Sequence, residues 1–189
     1  QAANITSVTA ARLDADDVPE DEAARQLAVA IAGAGAMPQQ AFTGRANVHA
    51  QHLGLLTVDE ARVRAINHLH ESLTLATLPA NSVVKPKQML ATVKIIPFAV
   101  PRTILQQALA IVGSSPLVAV RSFTRTCPHL IITRLPQTKP NIIAKSETAI
   151  AERLSALGVT LAATTTVDHD QAKVSAAIAA ALEVMKGQK

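Results

Sequence analysis

Hydrophobic positions in the first two thirds of the chain follow helical and strand-like periods in turn. Apolar residues four apart predict a helix that begins after an Asp17 N-cap, with an acidic capping box, and ends at Gly33. The capping box that starts at Thr57 predicts a second helix that reaches about His70. A proline suited to the first turn predicts a third helix over residues 102–112.

Short runs of aliphatic and β-branched residues lie between these helices. Several of these runs are flanked by Pro or Gly, a pattern that predicts β-strands. Gly33 and Gly35 form a Gly-x-Gly that follows a helix, whereas a dinucleotide-binding loop follows a strand, so we assign it no ligand. The predicted strands of this region are residues 5–13, 46–50, 73–78, 89–96 and 117–123.

The last third has a more regular pattern. A short apolar strand over residues 129–133 is followed by a polar loop, 134–140, and a helix, 141–157. A Thr-rich strand over residues 159–167 leads to a final helix that Asp168 would cap. This order predicts two parallel neighbouring strands, because the crossover between them is right-handed.

The composition favours an α/β fold. Hydrophobic residues make up 49% of the chain, without Trp or Tyr and with only three Phe. Aliphatic chains of this kind suit helices packed on a largely buried parallel sheet. We predict a mixed α+β region of unassigned role over residues 1–123 and a mostly parallel β–α–β–α domain over residues 124–189.

Cys127 is the only cysteine, so no disulfide can form within the chain and an oxidising compartment is not indicated. No apolar run approaches the roughly 20 residues that span a bilayer. The chain begins at Gln1 without a basic and apolar leader. We therefore expect a cytoplasmic location and a fragment of a longer protein.

The charge pattern indicates an anionic ligand. Net charge is +4, and residues 72–146 contain no Asp or Glu. A field of one sign concentrates anions, although a solvated basic surface would look the same. Few aromatic residues lie there for stacking bases, so a small phosphorylated ligand fits better than nucleic acid. The cations of this stretch are Lys85, Lys87, Lys94, Arg102, Arg121, Arg125, Arg134, Lys139 and Lys145.

Several strings of residues resemble one family. The unit at 127–187, with LSALGVTL at 154–161 and VDHD at 167–170, resembles the opening of the molybdopterin-binding domain family. The upstream strings are similar to the N-terminal part of bacterial proteins in which that domain precedes a nucleotidyltransferase domain. They are DVPEDEAARQLA at 17–28, FTGRANV at 42–48, LTLATLP at 73–79 and, most specifically, ATVKIIPFAVP at 91–101.

The resemblance implies binding of molybdopterin or molybdenum cofactor during cofactor biosynthesis, on a mostly parallel sheet. It implies a small anionic pterin as ligand and neither nucleic acid nor a membrane as partner. The resemblance is also compatible with a bound Mg²⁺ ion, with a homo-oligomer, and with a molybdoenzyme or a nucleotidyltransferase as partner protein. The family site adds a glycine- and threonine-rich loop after a third strand, which would follow Lys189. Thr133 and Arg134 stand where the family has an acidic residue.

The predicted binding residues are Thr133, Arg134, Gln137, Thr138 and Lys139. They follow the first strand of the unit, and open parallel sheets bind ligands at the carboxyl ends of their strands. Arg134 and Lys139 suit a phosphate, while Gln137 and Thr138 offer an amide and a hydroxyl to a pterin edge. The alternative is a solvated polar loop.

We predict no metal site and assign no catalytic residue. His68 and His70 lie two apart at a helix end, so they point to different faces. Cys127 has no recognisable nucleophile motif around it. The alternative to a binding function is a non-catalytic module that dimerises and positions a neighbouring nucleotidyltransferase domain, and a weaker one is general nucleic-acid binding.

Overall fold

The chain forms two units, Gln1–Phe123 and Thr124–Lys189, and the computed structural model describes residues 12–123 and 128–186. In the first unit the described helices are α1 (Glu20–Ile31), α2 (Glu60–Leu69) and α3 (Arg102–Val112). Its described strands are β1 (Asp17–Pro19), β2 (Ala36–Pro38), β3 (Arg45–Ala50), β4 (Gly54–Val58), β5 (Leu73–Thr77), β6 (Val83–Val84), β7 (Met89–Ile95), β8 (Ala99–Pro101) and β9 (Val118–Arg121).

The strands of the first unit pair antiparallel in three sheets, with the orders β2-β3-β7-β5, β6-β4-β9 and β1-β8. In β3 the side chains alternate, so that Ala46 and Val48 are buried while Arg45 and Asn47 lie on the opposite face. Helix α1 packs against β3 and β7. Its buried face consists of Ala23, Ala24, Leu27, Ala28 and Ile31. The antiparallel pairing fits the mixed α+β region predicted for this part of the chain, and the named strands of this unit do not form the parallel sheet that the composition suits.

A glycine permits the close approach of β4 and β9. A Cβ added at Gly54 would collide with the carbonyl oxygen of Arg121 and would lie 2.7 Å from a methyl group of Val120. Contacts this short do not occur for real Cβ atoms, so the position excludes every other residue by packing alone.

One arginine connects α2 with the end of α3. Asp59 caps α2 by accepting the Arg62 backbone N–H at 3.0 Å and its Nε at 2.8 Å. Arg62 Nη1 then donates to the carbonyl oxygens of Val112 at 2.5 Å and Ser115 at 2.9 Å. The predicted cap at Thr57 is wrong, because that residue lies within β4.

An asparagine side chain satisfies the open edge of β5. Asn67 Nδ2 donates to the Leu75 carbonyl at 2.8 Å, and the Leu75 N–H donates to Asn67 Oδ1 at 2.7 Å. The side-chain amide therefore takes the place of a neighbouring strand at this residue, since β5 pairs with β7 on its other side.

The second unit is a β–α–β–α arrangement of β10 (His129–Arg134), α4 (Pro140–Ala156), β11 (Ala163–Asp168) and α5 (Gln171–Lys186). The two strands are parallel, as predicted, and their register runs from His129 opposite Ala163 to Arg134 opposite Asp168. Helix α5 packs on both strands. Among the side chains described in this unit, Ala181 alone is buried.

The chain is thus a mixed α/β protein, as predicted. The strand expected at 5–13 lies mostly outside the described residues. The predicted N-cap role of Asp17 is wrong, because Asp17 pairs with Pro101 in the β1–β8 ladder and α1 begins three residues later. Within the described residues, no helix is both long enough and apolar enough to cross a membrane.

Candidate functional site

The carboxyl ends of β10 and β11 bring three charged side chains together. Arg134 and Asp168 are the last residues of the two strands and face each other in register. Arg134 Nε donates to Asp168 Oδ1 at 3.1 Å, and Lys173 Nζ from the first turns of α5 donates to Asp168 Oδ2 at 2.5 Å. One carboxylate therefore bridges two cations and leaves the group with a net positive charge.

Hydrogen bonding controls the ionisation of this group. The Lys173 ammonium and then the Arg134 guanidinium hold the pKa of Asp168 below its usual range. Asp168 in turn raises the pKa of Lys173. All three side chains are about half exposed, at 54% for Arg134, 48% for Asp168 and 58% for Lys173. A ligand could therefore reach the cations from solvent.

Asp168 does not have the predicted role of an N-cap. Asp170 caps α5 instead, since its Oδ1 accepts the Lys173 backbone N–H at 3.0 Å. The intervening His169 donates its backbone N–H to the Arg134 carbonyl at 2.9 Å, and its Nδ1 lies 3.2 Å from Thr133 Oγ1. The strand ends are thus joined by backbone and side-chain contacts, and Asp168 is left to face Arg134.

The loop between β10 and α4 is held by its own turn. Thr138 Oγ1 accepts the Leu135 N–H at 3.0 Å, and the Thr138 N–H donates to the Leu135 carbonyl at 2.9 Å. Gln137 and Lys139 are exposed, and their side chains have no partner among the described residues. Helix α4 begins at Pro140 without a side-chain cap. This loop places free amide and ammonium donors beside a helix start that favours anions.

The structure brings the predicted residues together only in part. Thr133 and Arg134 join Asp168, His169 and Lys173 at the strand ends. A shallow cavity of about 420 Å³ lies there, lined by Arg134, Asp168 and Lys173 and by residues of β11 and α5. The loop residues at 137–139 are not among its lining residues.

Sequence reasoning missed Lys173 and assigned Asp168 another role. The signal for Asp168 was available, because the last residues of two parallel neighbouring strands share a sheet edge. The sequence contained no such signal for Lys173, because whether its ammonium group reaches Asp168 depends on the residue at which α5 begins.

The histidines of the described residues form no metal cluster. In the parts of the chain that the structure describes, no group of three or more His, Cys, Asp or Glu could hold a metal ion. His70 Nδ1 instead lies 2.8 Å from the hydroxyl of the buried Ser72. Cys127 and Arg125 lie outside the described residues.

No family model matches the chain, and neither a curated protein nor a solved structure was found to match it.

Proposed function

We propose that the second unit binds molybdopterin or molybdenum cofactor as a step of cofactor biosynthesis. The observation that carries the proposal is the pair of cations, Arg134 and Lys173, held around Asp168 where two parallel strands end. Open sheets of this kind bind anionic ligands at that edge. The strings that resemble the molybdopterin-binding domain family supply the identity of the ligand.

The side chains at this edge fit a phosphorylated pterin. Arg134 donates to Asp168 through Nε, and guanidinium groups bind phosphate through paired donors. Lys139 adds a third cation from the adjoining loop. The Gln137 amide can both donate to and accept from the edge of a pterin ring. The Thr138 hydroxyl already accepts one hydrogen bond within its turn and retains its own proton to donate.

A titration tests this function. The full chain titrated with molybdopterin by calorimetry should show saturable binding, weakened about ten-fold or more in Arg134→Ala and measurably in Lys139→Ala, because charge-assisted hydrogen bonds contribute about 1.5–3 kcal/mol each. Arg153→Ala is the matched control, since it removes an exposed cation from the last turn of α4. An absence of saturable binding, or equal losses in all three variants, would refute the proposal.

A second candidate function is a dimerisation module that positions a nucleotidyltransferase domain. It is favoured by large apolar side chains on the second unit that are about half exposed, namely Leu135, Ile142, Ile178, Leu182 and Val184. Such side chains favour association with a second copy where they form a contiguous surface. Sedimentation velocity of the full chain should then show a concentration-dependent dimer, and a monomer at all concentrations would exclude it.

A further inference from the structure

A strained turn in the first unit presents an aromatic ring to solvent. Phe42 and Arg45 are joined by two backbone hydrogen bonds, of 2.9 and 3.1 Å, around Thr43 and Gly44. The φ angles of Thr43 and Gly44 are 48° and 69°. Two consecutive positive φ angles define a type I′ turn, which Asn-Gly sequences usually form. A β-branched Thr at positive φ is strained, and such strain persists only where the surroundings impose it.

Contacts from α1 and β7 impose this strained conformation on the turn. Asp21 of α1 accepts the Gly44 N–H at 2.7 Å. From β7, Lys94 Nζ donates to the Thr43 carbonyl at 2.6 Å and the Ile95 N–H donates to the Gly44 carbonyl at 2.7 Å. A Cβ at Gly44 would lie 2.6 Å from a carboxylate oxygen of Glu20 and 2.7 Å from the Ile95 carbonyl oxygen. The turn is therefore pre-organised, and a ligand would not need to order it.

Two like charges face each other beside this turn. Arg45 and Lys94 are direct partners in the antiparallel β3–β7 ladder. Like charges directly opposite each other destabilise a sheet. Neither cation has an ion-pair partner among the described residues, although the Glu20 carboxylate lies over Gly44 nearby. An anion between the two cations would relieve that repulsion.

The surface around the turn is a cavity of about 400 Å³ lined by Gln40, Phe42, Thr43, Arg45, Asn47 and Lys94. No acidic side chain lines it, and the Phe42 side chain is 75% exposed. The Asn47 Oδ1 atom accepts from Thr92, which leaves its amide N–H groups free to donate. Exposed aromatic surface, two cations and amide donors thus meet in a space that suits a small ligand.

We propose that this cavity binds a nucleoside monophosphate or a ligand of the same chemical class, a planar heteroaromatic ring that carries a phosphate. The ring stacks on Phe42, the phosphate lies between Arg45 and Lys94, and the Gln40 and Asn47 amides bind polar atoms of the ring or sugar. One aromatic side chain and two cations match a single nucleotide rather than a strand of nucleic acid. All the described residues that line the site belong to the first unit.

Calorimetric titration of the full chain with GMP tests the proposal. GMP should bind saturably, and guanosine and inorganic phosphate should each bind at least ten-fold more weakly, because each supplies only half of the contacts. Phe42→Ala and Arg45→Ala should each weaken GMP binding about ten-fold, as expected for the loss of a stacked ring or a phosphate contact. Both substitutions are at exposed side chains, and thermal melting followed by circular dichroism checks that both variants fold.

Matched variants outside the cavity complete the experiment. Phe98→Ala removes another exposed ring, and Lys85→Ala removes another exposed cation of the same unit, so GMP affinity should be unchanged in both. It should also be unchanged in Arg134→Ala, which separates this site from the one in the second unit. The proposal is overturned if GMP does not saturate, if inorganic phosphate binds as tightly as GMP, or if the control variants lose as much affinity as Phe42→Ala and Arg45→Ala.

Discussion

In the proposed binding site, Asp168 sets the affinity for a phosphate without contacting the ligand. It accepts hydrogen bonds from Arg134 and Lys173, so it holds both cations in place and also cancels part of their charge. An incoming phosphate has to compete with this carboxylate. Removing the negative charge while keeping the side-chain shape separates these two effects.

We expect Asp168→Asn to bind molybdopterin several-fold more tightly than the unaltered chain, with a steeper dependence on salt, because the net charge at the strand ends rises by one. Isothermal titration at two ionic strengths measures both quantities. Glu152→Gln is the control, since Glu152 is an exposed carboxylate of α4 that contacts neither Arg134 nor Lys173 among the described residues. Weaker binding in Asp168→Asn would mean that the carboxylate positions the cations more than it competes with the ligand.

Glu22 predicts a pH dependence of stability. Hydrogen bonds from Arg25 and Gln26 lower its pKa from an ordinary value of 4.5 to about 2. A carboxyl group whose pKa is lower in the folded state stabilises the fold above its unfolded pKa and loses that contribution as pH falls. The free energy of unfolding should therefore fall between pH 4.5 and 2, and less steeply in Glu22→Gln. Urea denaturation across this pH range measures the free energy of unfolding. Glu60→Gln is the control, because Glu60 belongs to a longer ion pair of 3.7 Å.

At the scale of elements, the sequence predicted the helix with a regular apolar stripe well, but it assigned the capping residues of other helices wrongly. The helix at Arg102–Val112 is confirmed residue for residue, because its apolar stripe and leading proline agree. Asp17, Thr57 and Asp168 all begin sequences typical of caps, yet each lies in a strand. Capping needs a particular local backbone conformation, and pairing with a distant strand decides that conformation. The partner strand cannot be read from the capping sequence itself.

For the candidate site, the sequence predicted the position at the sheet edge but not the set of charged side chains that meet there. The sheet edge follows from the order β–α–β–α, but the predicted strand ended at Thr133 with Arg134 in the loop, whereas β10 continues to Arg134. Which charges meet there depends on the strand register and on the first residue of α5. Pattern alone resolves neither to a single residue.

The Asn67 amide at the edge of β5 should be sensitive to a nearly isosteric change. Asn67→Asp keeps the acceptor for the Leu75 N–H but replaces the donor to the Leu75 carbonyl with a negative oxygen. We expect a loss of about 1 kcal/mol or more in the free energy of unfolding at neutral pH. Urea denaturation measures this free energy. The control is Asn81→Asp, which lies in an exposed turn and should change the free energy of unfolding by less than about 0.5 kcal/mol. Equal effects in both variants would contradict the proposed role.

At the scale of the whole molecule, the two units differ in how much apolar surface they bury. The first has a core drawn from α1, both large sheets and α3, whereas Ala181 is the one buried side chain described in the second. Local stability follows the burial of apolar contacts. Each unit should therefore open with its own free energy.

Hydrogen exchange followed by mass spectrometry tests this difference. Amides of β7, which pairs on both sides, should exchange slowest, and those of β10 and β11 should exchange at least ten-fold faster. Addition of molybdopterin should slow exchange in β10 and β11 without changing it in β7. Equal protection of the two units before any addition would show that burial does not govern their opening.

The glycine at position 54 also limits the evolutionary routes open to this fold. Its backbone conformation does not demand glycine, so only the nearness of Arg121 and Val120 forbids a side chain. A single substitution there forces β4 away from β9 and disturbs Leu56, which is fully buried in β4. A descendant of this chain could replace Gly54 only after the facing strand had moved, which makes the order of mutations matter as much as their identity.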